Sequence, residues 1–134
     1  MVFEPLLSLA PFASLPLRIL MGAAFISHGY PKIVSPGRKG TQDWLKSMGI
    51  SGILGPLAGL LEFLGGIFLL IGFLVPLVGI LLSVEMIATT ILSKRKMSKK
   101  YILGYELDLA YLAAALALVV LGGGPASLDA LLGL

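Results

Sequence analysis

Residues 53–92 read ILGPLAGLLEFLGGIFLLIGFLVPLVGILLSVEMIATTIL, an almost unbroken apolar run that holds only two charged side chains, Glu62 and Glu85. At about 1.5 Å per residue, a helix of roughly 40 residues would be about 60 Å long, twice the hydrocarbon core of about 30 Å. The run must therefore turn once. Gly72 and Pro76 mark the place, because glycine closes a helix readily and proline opens one. Two spans follow, near Ile53–Ile71 and Pro76–Leu92, joined by a short apolar hairpin.

Working outward, a first span is expected from about Leu15 to Ile33, with Pro16 in its first turn and Pro31 and Pro36 at its exit. Phe3 to Ala13 is apolar but broken by Pro5 and Pro11, and reads as an interfacial lead-in. Between the first two spans, Thr41-Gln42-Asp43-Trp44-Leu45-Lys46 reads as a short surface helix capped by Thr41, with Trp44 and Leu45 dipping into the interface. A fourth span, Tyr105–Leu121, ends at Gly122-Gly123-Gly124-Pro125. Ser127 is placed to cap a short amphipathic tail. The fold class is thus all-α: one integral membrane four-helix bundle over residues 1–134, with short interfacial segments.

Composition agrees. Hydrophobic residues make up 57% of the 134-residue chain and charged residues 13%, against about 25% charged in ordinary soluble domains. Mean hydropathy is +1.01. A small water-soluble fold could not hide so much apolar surface. The absence of cysteine removes disulfides, thiolate metal sites and iron–sulfur ligation, and no metal site is expected.

The ten basic residues are unevenly placed. Lys32, Arg38, Lys39 and Lys46 fall at one end of the spans with Lys94, Arg95, Lys96, Lys99 and Lys100, while Arg18 lies alone toward the other. That bias predicts cytoplasmic basic loops and external termini in a multi-pass protein of the cell membrane. The second tract also suits anionic lipid, and the net charge of +3 is too localised to indicate nucleic acid. Tyr30, Trp44, Tyr101 and Tyr105 gather at the same boundary.

Ionisable groups within a span cost about 2.5–3.5 kcal/mol for the more expensive types, so each needs a reason. Glu62 and Glu85 sit near the middle of their spans; His28, Glu106 and Asp108 lie toward the basic end. Arg18, Gly22, Phe25, Gly29 and Lys32 recur at helical spacing and share one face, as do Gly55, Gly59, Glu62 and Gly66 on the next span. One reading is a packing seam in which Arg18 or Lys32 neutralises a glutamate. The other is functional: carboxyls outnumber the cations able to reach them, and a protonated carboxyl donates a hydrogen bond. His28 alone is compatible with either role.

Three stretches carry a family resemblance. Arg18 to Gly22 with His28-Gly29-Tyr30-Pro31-Lys32 resembles the opening motif of the DoxX family. Gly59-Leu60-Leu61-Glu62-Phe63-Leu64-Gly65-Gly66 is similar to its second-helix signature. Gly104-Tyr105-Glu106 and Gly124-Pro125-Ala126-Ser127-Leu128-Asp129 are similar to its C-terminal pattern. The resemblance implies a four-helix membrane bundle associated with respiratory or sulfur-oxidising electron transfer, the founding member being the small subunit of a thiosulfate:quinone oxidoreductase. Matched residue by residue, it singles out Arg18, His28, Lys32, Glu62 and Glu106.

The leading functional expectation is a membrane subunit of a quinone-linked oxidoreductase, whose partner carries the electrons. His28, Glu62 and Glu106 are then the catalytic proton and hydrogen-bond donors. Arg18, Gly22, Gly29, Lys32 and Gly66 would line a slot for the quinone, the one cofactor expected and not covalently held. The alternative is a non-catalytic accessory or assembly subunit of a respiratory membrane complex, its small-residue seams binding other helices. A small proton-coupled transporter is disfavoured by the strong charge bias. Partners are the lipid bilayer and either other membrane subunits or further copies of the chain. The topology has a direct check: a cysteine at Ser98 should resist an impermeant thiol reagent on intact cells, while one placed near Leu134 should react. The reverse pattern would invert the assignment.

Overall fold

In the computed structural model, which describes residues 2–134, the elements follow the hydropathy pattern. In chain order they are α1 (Glu4–Leu7), a 3-10 turn (Ala10–Phe12), α2 (Ser14–Ile33), α3 (Gly37–Ser47), α4 (Leu54–Ile71), α5 (Val75–Arg95), an irregular turn (Tyr101–Tyr105), α6 (Glu106–Leu121) and α7 (Leu128–Leu132). The described residues contain no strand. Four helical stretches, Ala10–Ile33, Leu54–Ile71, Val75–Arg95 and Tyr101–Leu121, are long and apolar enough to cross a membrane. The protein is an all-α integral membrane bundle.

The turn between the central spans forms where glycine and proline place it. Gly72 ends α4 in the left-handed conformation (φ 73°) and Pro76 occupies the first turn of α5. Gly122, also at positive φ, ends α6. The short helix in the first loop departs from expectation. It starts at Gly37, after Pro36, so Thr41 lies inside it and caps nothing. Its glycines conceal it from a propensity reading. Tertiary packing holds it instead: Leu45 is buried, and a Cβ on Gly55 of α4 would lie 3.3 Å from a Leu45 methyl. Trp44 points outward.

The four spanning helices are assembled as two close pairs, α2 with α4 and α5 with α6, lying side by side. In lipid the pairs cannot be held by the hydrophobic effect, since the tails are as apolar as leucine; close backbone approach has to supply the attraction. Along α2 and α4 it does so twice. A Cβ on Gly66 would sit 2.7 Å from the Gly22 carbonyl oxygen, and one on Gly22 2.8 Å from the Gly66 oxygen. Gly29 and Gly59 meet in the same reciprocal way, with would-be contacts of 2.6 and 3.0 Å to each other's carbonyl oxygens. In the second pair, a Cβ on Gly79 would come 3.0 Å from the Ala115 oxygen.

Between the pairs, Met21, Phe25, Leu69, Val75, Val78, Leu82, Met86, Ala115 and Leu118 form the apolar core, with the Phe25 ring tilted against Tyr111 at 5.3 Å. Leucines such as Leu57, Leu60 and Leu64 line the outer side of α4, as lipid-facing positions should. Gly66→Leu should therefore force α4 off α2, at a cost of about 1–3 kcal/mol or more, and lower the thermal midpoint in detergent. Leu64→Ile should leave it nearly unchanged. Equal midpoints would mean that the glycine face does not carry the packing.

Candidate functional site

The buried charged side chains, Arg18, Glu62 and Asp129, fall into two separate groups at different depths. The first lies at the helix ends opposite the basic loops. Arg18 enters it from the second turn of α2 and is 2% exposed. A buried guanidinium has five N–H donors and no water to satisfy them. Here Nε donates to the Leu69 oxygen (2.9 Å), which also accepts the Gly72 amide, and Nη2 to the Leu70 oxygen (3.1 Å), both carbonyls of the last turn of α4. Nη1 donates to the Gly123 and Ala126 oxygens (2.6 and 2.9 Å). The cation also faces the negative end of the α4 dipole, which favours it there.

The chain after α6 completes this node. The Asp129 carboxylate accepts from the Leu74 and Val75 amides (2.6 and 2.9 Å), two N–H groups at the start of α5. The Asp129 amide donates to the Gly72 oxygen (2.9 Å). Ser127 caps α7, its hydroxyl accepting from the Ala130 amide (3.1 Å), as expected. Ser14 donates to the Gly123 oxygen (3.0 Å). Only glycine fits at position 72, since a Cβ there would lie 2.6 Å from Arg18 Nη2. Arg18 thus binds helix ends and loop carbonyls, and its contacts do not include Glu62.

The second group lies at mid-depth. Glu62, at the centre of α4, is 4% exposed, and Lys32 bends inward from the last turn of α2 to meet it. Lys32 Nζ hydrogen-bonds Oε1 at 2.7 Å and makes an ion-pair contact with Oε2, also at 2.7 Å. Glycine makes the approach feasible, because a Cβ on Gly59 would strike Lys32 Cβ at 2.5 Å. Glu85, from the middle of α5, feels the charges of both Glu62 and Lys32. Both its carboxyl oxygens are buried, and neither has a hydrogen-bond partner of good geometry. Three ionisable groups from three helices are therefore within electrostatic reach of one another, with the ion pair itself joining Lys32 to Glu62.

The remaining sequence-selected residues lie elsewhere. His28 is exposed on the outer side of α2, turned away from Glu62. Glu106 stands at the start of α6, where its Oε1 accepts the Leu103 amide (2.8 Å). Asp108 accepts from Ser93 (3.2 Å). Gly22, Gly29 and Gly66 spend their missing side chains on backbone contact, and the seam leaves no room for a ring between them. Glu85 is the residue that sequence reasoning did not join to Glu62. Its signal was depth: both glutamates lie the same distance into adjacent, antiparallel spans.

The profile of the family described as DoxX matches residues 13–95 of the chain. No curated protein and no solved structure matches it.

If Lys32 is the partner of Glu62, the two should be energetically coupled and Arg18 should stand apart. A double-mutant cycle of Lys32→Met with Glu62→Gln should give a coupling of about 1 kcal/mol or more. The cycle of Arg18→Met with Glu62→Gln should be additive within about 0.5 kcal/mol. Thermal or denaturant unfolding in detergent measures both, and the opposite ranking would reassign the ion pair.

Proposed function

Because the chain belongs to the DoxX family, we propose that it is the membrane subunit of a quinone-linked oxidoreductase whose partner carries the electrons. Its own contribution is the Lys32–Glu62–Glu85 cluster, which holds and passes a proton. The single observation that supports this is Glu85. A packing role needs one carboxylate for one ammonium, and Lys32 already has Glu62. The second carboxyl, its oxygens buried beside Glu62 and with no cation of its own, is surplus to neutrality. With one proton shared between the two carboxyls the cluster is neutral; without it the cluster carries a net negative charge. Proton transfer at this point is therefore coupled to charge in a medium that penalises charge.

The electrons need a partner because one histidine and no cysteine offer neither a bis-histidine haem nor an iron–sulfur ligand set. The residues expected to enclose the quinone do not fit it, since Gly22, Gly29 and Gly66 are filled by backbone. No step is assigned to a ring inside the α2–α4 seam. In this reading the quinone is met at the lipid or partner side of the bundle. The charge bias of the loops supports the basic end facing the cytoplasm.

A second reading, a non-catalytic accessory subunit, draws support from Arg18, whose hydrogen bonds all go to backbone carbonyls at the end of α4 and in the loop after α6. One comparison separates the two. In the native complex purified in mild detergent, Glu85→Gln should leave subunit recovery unchanged and slow quinone-dependent turnover by about a hundredfold or more, the smaller end of what acid–base catalysis contributes. Glu62→Gln should instead lower recovery, because Lys32 loses its counter-charge. Full turnover in Glu85→Gln would overturn the proton-handling role and leave the accessory one.

A further inference from the structure

The turn between α5 and α6 carries a feature unrelated to the charged cluster. Lys94, Arg95, Lys96, Lys99 and Lys100 are all exposed. Among the described residues the ion pairs are Lys32–Glu62 and Lys39–Asp43, so none of these five cations is neutralised. The nearby acids are engaged internally, Glu106 by the Leu103 amide and Asp108 by the Ser93 hydroxyl.

Directly after the cations the chain presents three apolar side chains. Tyr101 and Ile102 are largely exposed and Leu103 is 96% exposed. Leu103 also adopts the left-handed backbone region (φ 57°), which a leucine enters unwillingly. Glu106 holds it there by accepting its amide, and Tyr105 stacks edge-on against Tyr101 at 5.5 Å. The fold thus maintains a strained turn whose product is an exposed apolar tip. Behind the tip runs an open groove lined by Tyr101, Leu103, Gly104, Glu106, Leu107 and Ala110. Lys99 borders it, since a Cβ on Gly104 would lie 3.2 Å from Lys99 Cβ.

We propose that this turn is a binding site for an anionic phospholipid of the surrounding bilayer. The groove lies at the end of two membrane spans, the level at which headgroups sit. Unpaired lysines supply the charge complement to a phosphate, and the apolar wall of Leu103, Leu107 and Ala110 takes the upper part of an acyl chain. An acidic protein partner would use the same cations but has no need of the apolar wall.

The test uses the delipidated 134-residue chain in mild detergent, with bound lipid counted by native mass spectrometry. Phosphatidylglycerol should bind about tenfold more tightly than phosphatidylcholine, because the unpaired lysines attract an anionic headgroup. The triple variant Lys96→Gln, Lys99→Gln, Lys100→Gln should lose that preference, while Lys39→Gln in the other basic loop should keep it. Leu103→Gly, which suits the backbone and preserves every charge, should weaken both lipids alike. Equal binding of the two lipids by the parent chain overturns the proposal. So does a preference that survives the triple change, or one that Lys39→Gln removes equally. An acidic soluble polypeptide that binds the parent chain and displaces phosphatidylglycerol would move the site to a protein partner and overturn it as well.

Discussion

Backbone contact between α2 and α4 is the constraint on which the rest of this protein depends. Lipid offers no hydrophobic force to draw helices together, so attraction must come from short-range packing and from polar groups that have nowhere else to go. Two reciprocal glycine contacts, Gly22 with Gly66 and Gly29 with Gly59, bring the two backbones together at points two helical turns apart. That closeness allows Lys32 to reach Glu62 and lets the Arg18 side chain lie across the end of α4. Both polar groups are consequences of the seam, and both would be unaffordable without it.

The two groups nevertheless answer different needs. Arg18 satisfies carbonyls that the end of α4 and the loop after α6 leave open, and Asp129 satisfies amides at the start of α5. Every partner in that node is a backbone group or an opposite charge, which marks it as architecture. The mid-depth cluster is not balanced in this way. Glu62 and Lys32 belong to one close pair of helices and Glu85 to the other. The surplus carboxyl lies where the two pairs meet, at a joint held by less intimate packing than either pair has within itself.

Much of this was legible in the residues themselves. Hydropathy and the Gly72–Pro76 turn located the four long helices to within a few residues, and spacings of three and four identified both glycine faces. The choice between Arg18 and Lys32 as partner of Glu62 was not legible, because both lie on the same face of α2. Three-dimensional register and the length of the lysine chain decide it. Nor does a sequence distinguish a glycine that leaves a void from one filled by a neighbouring backbone, and the expected quinone slot depended on that distinction. The outward position of His28 follows from its place beside Gly29, since one helical step of about 100° turns it away from the seam. The helix at Gly37–Ser47 was only partly visible, since its first turns are poor helix formers held by contacts made through Leu45.

Arg18 has a consequence for the order in which the molecule is made. Two of its carbonyl partners lie about fifty residues later in the chain, and the other two more than a hundred. A ribosome delivers the first span long before it delivers Gly123 or Ala126. During that interval the guanidinium cannot be desolvated cheaply, so the end of α2 that bears it must wait in contact with water, lipid phosphates or the insertion machinery. The bundle can close around this residue only after the fourth span has crossed. Its final loop is thus a timing element as well as a structural one, since burial of the first basic side chain reports that the last helix has arrived.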